Sequence, residues 1–416
     1  GFEIYEIFII ESMRVSMDYE IDLHFYFNLI SFYGLPDDND VSAIFSDLSS
    51  VDNVQGEGVS AQYFPALDSW LGGLGELDIS SGYWTRISNL DGETLQGTGH
   101  PYNIKRSYDL HEGANLVSFP SKGSFNIMDA LPDEVESHIY SIIGEGQSII
   151  NTEGLFSDSL GLPSWVGSLD RFEGMHGYWI FSDANISFSF EVSPDDMLSR
   201  ELSSGSQVAE IPEGLEYIQS SEQAFYYVNP ASIEELEHGD WFVSTCGSSV
   251  SGSRQYLGAV IDIPVMGYDG HPMTAGYCEK GDRPEFKLYK TSTGEMIELH
   301  AEVSSWDSNE IFIVENMTVA PPVPTEFSVL SAYPNPFNPV TSIGYEIPEE
   351  SMVKIIIYDL RGQEVATLVN ELTVAGRYAM NWDAHDVASG IYFVHFTASR
   401  DGFAPITKMQ KLMLVK

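Results

Sequence analysis

In Met352-Val353-Lys354-Ile355-Ile356-Ile357-Tyr358-Asp359-Leu360-Arg361-Gly362-Gln363-Glu364-Val365, Val353, Ile355 and Ile357 fall two apart, while Lys354 points the other way. That period of two is the mark of a strand with one buried face. Arg361-Gly362 supplies a turn before a second run at 363–369. Upstream, 341–347 reads as a strand that Pro348 ends. Before it, Tyr333-Pro334-Asn335-Pro336-Phe337-Asn338-Pro339 holds three prolines, which fix φ and lack a donor, so it is no interior strand. Downstream, 377–382, 390–398 and 406–415 follow, which places six of the seven short strands expected within 327–416.

Seven strands at this spacing predict an Ig-like β-sandwich. The rest of the chain points the same way. Its 416 residues exceed one ordinary domain, and 43% are apolar, enough for real cores. Thirty-six Gly and 20 Pro mark many turns, and 23 Phe, 22 Tyr and 7 Trp suit pleated surfaces. The expected class is mainly β and multidomain. Acidic residues outnumber basic ones 62 to 19, and the net charge of −43 repels phosphate backbones, so nucleic acid is not an expected partner. No apolar run reaches the roughly 18 residues of a membrane span. Residues 1–10 carry Glu3 and Glu6 and no basic flank, unlike a signal peptide. Residues 1–22 therefore read as the tail of an upstream region, with any export signal expected before it.

The first half repeats itself. Asn28-Leu29-Ile30-Ser31-Phe32 matches Asn115-Leu116-Val117-Ser118-Phe119, and Gly56-Glu57-Gly58 matches Gly144-Glu145-Gly146. Trp70-Leu71-Gly72-Gly73-Leu74 matches Trp165-Val166-Gly167-Ser168-Leu169, and Gly82-Tyr83-Trp84 matches Gly177-Tyr178-Trp179. The offsets are 87, 88, 95 and 95, so one insertion within 151–163 accounts for the change. β-rich repeats are assigned to 23–106 and 107–192. Each is expected to run strand, short helix, strand, irregular Trp-bearing loop and Gly-Tyr-Trp strand. The helices are predicted over 40–48 and 127–135, the first capped by Asp37-Asp38-Asn39-Asp40. A calcium loop there lacks the Gly and terminal Glu that an EF-hand needs. Residues 193–214 read as a linker, and 215–319 as a β-module containing Cys246 and Cys278. Its expected strands include 223–228, 240–245, 285–289 and 310–314. Pro321-Pro322-Val323-Pro324 makes 320–326 a stiff spacer before the domain at 327–416.

The order Tyr-Pro-Asn-Pro-Phe-Asn-Pro, Ile-Tyr-Asp-Leu-Arg-Gly-Gln-Glu-Val, Ser-Gly-Ile-Tyr-Phe and a terminal Lys-Met-x-Lys-Leu-Met-Leu-Val-Lys resembles the type A sorting domain of type IX secretion. The matching positions are Pro334, Asn335, Pro336, Phe337, Gly362, Trp382, Gly390, Tyr392, Lys408 and Lys416. The resemblance implies a β-sandwich recognised by the outer-membrane translocon and removed by a sortase-like peptidase. The body is then linked to surface lipopolysaccharide or released. Taken singly, each motif is also ordinary turn or core, Trp382 and Tyr392 above all. The sequence departs from the family at Asp383-Ala384, where the family more often has Gly after Asp. The duplicated half is similar to repeats in bacterial exported proteins. The segments Gly239-Asp240-Trp241, Asp262-Ile263-Pro264-Val265-Met266-Gly267 and Thr274-Ala275-Gly276-Tyr277 resemble β-modules that precede such sorting domains.

Chemistry-bearing constellations are sparse. Ten His residues form neither HExxH nor an H-x-H pair, and a CxxC zinc set, a Gly-x-Ser-x-Gly elbow and a phosphate loop are missing. Gly56-Glu57-Gly58 and its twin read as turns, since an acidic residue there repels phosphate. Acidic pairs are too abundant to single out a glycosidase dyad. Cys246 as a nucleophile would need His238 or His271 as base and a depressed pKa. A Cys246–Cys278 disulfide is the expected alternative in an exported protein. No metal or cofactor is expected.

The matched aromatics Trp70, Tyr83, Trp84, Trp165, Tyr178 and Trp179 are the candidate glycan-binding residues, because exposed rings stack on sugars. Their ordinary reading is core. The chain is thus expected to be the C-terminal part of a secreted or cell-surface protein, its body a non-catalytic adhesion or glycan-binding module. Two alternatives remain open: the accessory region of a secreted peptidase or glycoside hydrolase with its catalytic domain upstream, and a structural spacer.

Overall fold

A computed structural model describes residues 16–101, 103–152, 164–192, 210–233, 236–258, 260–319, 324, 326–400 and 402–416. Residues 153–163 of the expected insertion window, most of the 193–214 linker and most of the 320–326 spacer lie outside the described residues. The chain divides into two compact units, Gly1–Ala320 and Pro321–Lys416.

In the first unit both repeats build a five-stranded antiparallel sheet with the same strand order. The first runs Tyr26–Ile30, Tyr83–Ile87, Val51–Gly56, Val59–Phe64, Ser69–Gly72. The second runs Gly113–Ser118, Gly177–Ser182, Ile139–Ile143, Ser148–Asn151, Trp165–Gly167. The register repeats too: Leu29 pairs with Trp84, and Leu116 with Trp179. Three expectations need correction. The Trp-bearing segment is an edge strand in each repeat, because Tyr63 and Asn151 pair with Trp70 and Trp165 across a ladder. The helices shrink to Val41–Ile44, and to Ile127–Ala130 and Asp133–Glu136 split at Pro132, which has no N–H to continue the first. The first repeat also starts earlier than residue 23. Met17–Leu23 pairs with Glu93–Pro101, burying Tyr19, Ile21 and Leu23 while Asp18, Glu20 and Asp22 stay outside.

The repeats meet around a local twofold relationship. Ile30 bridges to His176, and its counterpart Val117 bridges to Ser81. Ser31 N–H donates to Met175 O at 2.8 Å, and Ser118 N–H to Ser80 O at 2.9 Å. Tyr26, Phe27, Leu29, Trp84 and Leu116 close a shared apolar cluster. Across this seam the two Gly-Glu-Gly turns reach into the opposite repeat. Glu57 accepts from Leu116 N–H at 2.9 Å and faces His111 Nε2 at 2.8 Å. Glu145 accepts from Leu29 N–H at 2.7 Å and faces His24 Nε2. The turn reading of these motifs was therefore incomplete, since each also carries a carboxylate that clasps the other repeat.

The third module adds two more sheets. One is Ile261–Met266, Gln223–Val228, Ile311–Val314, its last pair parallel. The other is Ser249–Gln255, Trp241–Cys246, Glu285–Lys290, Glu295–Ala301, Met317–Val319. It packs on the second repeat through Ile143, Ile150, Val166, Phe181, Phe225 and Tyr227. Asp262, almost wholly buried there, accepts from Ser168 Oγ at 2.6 Å and Ser148 Oγ at 3.1 Å. Arg254 donates to Gly146 O at 2.6 Å, so this seam is hydrogen-bonded as well as apolar.

The second unit is a sandwich of seven strands in two antiparallel sheets. Ser328–Val329, Val340–Ile347 and Gly376–Asp383 form one. Glu364–Thr373, Ser351–Tyr358, Gly390–Ser399 and Ile406–Leu414 form the other. Val353, Ile355 and Ile357 point inward against Ile343, Tyr345, Val394 and Phe396, as the alternation predicts.

Candidate functional site

At the end of the second unit, the Pro-Asn-Pro-Phe segment clamps the last strand. Asn335 Nδ2 donates to Lys411 O at 3.0 Å, and its Oδ1 accepts from Met413 N–H at 2.9 Å. Phe337 N–H donates to Met413 O at 2.9 Å, and its carbonyl accepts from Val415 N–H at 3.0 Å. The Phe337 ring is buried 5.3 Å from Trp382, which lies 5.5 Å from Tyr392. Tyr392 Oη donates to Ala388 O at 2.6 Å. Lys416 N–H donates to Ser389 Oγ at 3.0 Å, and its ammonium to His385 O. Pro334, Asn335, Pro336, Phe337, Trp382, Tyr392 and Lys416 thus gather at one end of the sandwich. Gly362 lies elsewhere, in a turn at φ 76° whose N–H groups at Arg361 and Gln363 donate to Asp359. Lys408 is exposed, and a Cβ at Gly390 would meet nothing closer than 3.8 Å. Ala384 is fully buried, its N–H donating to Pro339 O at 2.9 Å. Its φ is not positive, so the turn there has no need of Gly.

The matched aromatics divide. Tyr83, Trp84, Trp165 and Tyr178 are buried, which removes their ring faces from any docked sugar; Trp179 is half-buried against the seam cluster. Tyr83 and Tyr178 use their hydroxyls on main-chain N–H groups, at Asp78 (2.6 Å) and Glu173 (2.7 Å). Burial raises the pKa of both phenols, that of Tyr178 the further. Two equivalent sites are therefore not formed.

Trp70 is different. It is partly exposed in a groove of about 630 Å³ between the turn of helix Val41–Ile44 and the hairpin that carries it. Its ring lies 5.6 Å from Tyr63 and 6.2 Å from Phe45. Polar groups rim these rings. Tyr63 Oη donates to Asp68 Oδ1 at 2.6 Å, and Asp40 caps the helix by accepting from Ser42 N–H at 2.8 Å. Those Ser42 bonds hold the Asp40 carboxyl below its usual range. In the second repeat Asn151 stands where Tyr63 stands in the first, and Trp165 is sealed into the core. The substitution of Asn for Tyr across the ladder was readable from the repeat alignment, but its consequence needed the strand pairing.

Cys246 and Cys278 are joined as a disulfide, with Cα atoms 5.3 Å apart across 32 residues. It sits in the module core with Phe242 and Phe286. Among the described residues no group of three or more His, Cys, Asp or Glu is placed to hold a metal ion. No described helix is long and apolar enough to cross a membrane.

Residues 327–416 form a small β-sandwich that folds back on its own final residues and follows a larger acidic body in the sequence. Residues 327–416 carry seven basic and nine acidic residues, so nearly all of the net −43 lies in the body. Residues 331–408 match the family described as the secretion system C-terminal sorting domain, and this part of the chain is a type IX sorting domain. The chain is accordingly exported by the type IX system, to the cell surface or into the medium. No curated protein matches the chain. Among solved structures, it is similar to a DUF3823 family protein from Parabacteroides merdae (9% identity, covering 46% of this chain and 100% of that one, TM-score 0.16). It is also similar to dimeric latent PorU from Porphyromonas gingivalis (11%, 94% and 30%, TM-score 0.19). A third is a Ca2+-stabilized adhesin with which an Antarctic bacterium reaches out and binds ice (9%, 89% and 91%, TM-score 0.15).

Proposed function

We propose that the body of this exported chain is a non-catalytic adhesion module that binds glycan through the first repeat. The observation that carries this reading is the Tyr63–Trp70 pair in an open, polar-rimmed groove. Aromatic rings offer the apolar faces of a sugar a matching surface, and hydroxyls and carboxylates at the rim suit its hydroxyl groups. The groove is walled by helix Val41–Ile44 with the turn that follows it and by the paired strands Val59–Phe64 and Ser69–Gly72. The type IX translocon and its sortase-like peptidase are the partners proposed for the C-terminal domain, with polysaccharide or surface lipopolysaccharide for the body.

Pull-down of the secreted protein on insoluble polysaccharides tests the reading. Retention that Trp70→Ala abolishes, with melting little changed, supports it. Equal retention of wild type and Trp70→Ala, or none at all, rejects it.

A further inference from the structure

The groove around Trp70 is charged in one direction only. Its walls hold Asp40 and Asp68, and no Lys, Arg or His is among the residues that line it. Ser42, Ser46, Ser49 and Ser69 complete the polar rim. Both carboxylates are fixed by local bonds. Asp40 accepts from Ser42, and Asp68 accepts from Tyr63 Oη at 2.6 Å, held at φ 48° in the hairpin turn. The rings of Tyr63 and Trp70 add negative quadrupole faces to the same groove, while Phe45, itself buried, packs against Trp70. The surrounding body is itself strongly acidic. An anionic sugar would meet repulsion from every direction, whereas an ammonium group would find both carboxylates and aromatic faces.

We propose that the Trp70 groove selects amine-bearing sugar units, of the glucosamine type, over their N-acetylated and uronic acid counterparts. This rests on the glycan-binding reading and deepens it. The sugar ring lies against the aromatic wall, and the ammonium group is matched by Asp40 and Asp68. N-acetylation removes the charge and so the attraction; a uronate reverses it.

The test uses the full chain and three soluble oligosaccharides of equal length: glucosamine, N-acetylglucosamine and a uronic acid. Binding is measured by calorimetry at pH 6 and fixed salt. The expected result is glucosamine binding at least about tenfold tighter than N-acetylglucosamine, with the uronate undetected. Two variants separate the groove from general attraction to an acidic protein. Asp40→Asn preserves the helix cap, because Asn caps as well as Asp. Asp68→Asn preserves the turn, because Asn tolerates positive φ. Each should weaken glucosamine binding about tenfold or more and N-acetylglucosamine binding by clearly less, so that the preference for the amine narrows. Equal binding of the amine and acetamide forms overturns the amine proposal and leaves glycan binding standing. Amine binding that survives Trp70→Ala or both Asn variants unchanged is bulk charge attraction and also overturns it. Failure of all three oligosaccharides to bind removes the proposal together with the glycan reading on which it rests.

Discussion

Gly82 and Gly177 stand opposite each other where the repeats meet, and a Cβ added to either would lie 3.1 Å from the other's Cα. These are the glycines of the two Gly-Tyr-Trp motifs, so the motif records a contact between repeats as well as a strand within each. Gly82→Ala would also place its methyl 2.9 Å from Leu116 Cδ1 and 3.0 Å from Val117 O. Overpacking of this kind costs about 1–3 kcal/mol. Denaturant unfolding should show that loss for Gly82→Ala and Gly177→Ala. Gly73→Ala, where a Cβ meets nothing within 4 Å, should stay close to wild type.

The reciprocal clasps predict a pH dependence. Nδ1 of His24 and of His111 each lies 2.8 Å from a main-chain carbonyl, of Phe25 and Glu112. A carbonyl only accepts, so Nδ1 bears a proton, and the carboxylate beside Nε2 asks for a second. Burial opposes the charge on His24, but its bonds to Glu145 and Phe25 O outweigh that and raise its pKa. The Glu112 carbonyl, then Glu57, raise that of His111. A raised folded pKa gives stability that is full below the unfolded value near 6.5 and is lost as pH rises through the folded value. Both rings are about half exposed, at 50% and 58%, so each clasp contributes about 0.2–1 kcal/mol. The melting difference between wild type and the His24→Gln, His111→Gln double variant should shrink between pH 6 and 9. A difference that grows with pH would contradict imidazolium clasps.

Trp70 and Trp165 occupy one position of the repeat but should respond differently to truncation. Trp165 is 7% exposed, and Trp165→Ala should cost about 3–5 kcal/mol. Trp70→Ala should cost clearly less and act on ligand retention. Calorimetric melting of the two variants checks this.

The Cys246–Cys278 bridge closes a loop of 32 residues, which chain-entropy arguments value at about 3–4 kcal/mol. A Cys246→Ser, Cys278→Ser variant should melt earlier to that extent, and a thiol reductant should lower the wild type to the same point. Free thiols in secreted protein would remove the prediction.

In the sorting domain, Asn335→Ala should cost about 1–2 kcal/mol by breaking two exposed hydrogen bonds to the last strand. Phe337→Ala should cost about 3–5 kcal/mol, because the ring is buried against Trp382. Removing 327–416 should leave the body in the periplasm of a host with the type IX system. Denaturant unfolding reads the two point variants; fractionation of culture medium, cell surface and periplasm reads the truncation, and undiminished export of the truncated chain would contradict the sorting role.

Several features were fixed by sequence alone. The alternation Val353, Ile355, Ile357 settles which face of its strand is buried, because side-chain direction in a strand has a period of two residues. The matched Asn-Leu-x-Ser-Phe and Gly-Tyr-Trp blocks foretell two like sheets, since equal patterns bury equal faces. The alternation of Tyr19, Ile21 and Leu23 with Asp18, Glu20 and Asp22 was equally legible as a strand, although its pairing with Glu93–Pro101 was not. Tertiary structure alone decided the rest. Whether Trp70 or Trp165 keeps an exposed face depends on the residue across the ladder, Tyr63 or Asn151, and on what packs above it. That Glu57 meets His111 and Glu145 meets His24 depends on one repeat's turn reaching the other's first strand. Sequence periodicity records burial along one element, whereas a site or a clasp is made between elements far apart in the chain, and only their packing brings them within hydrogen-bond reach.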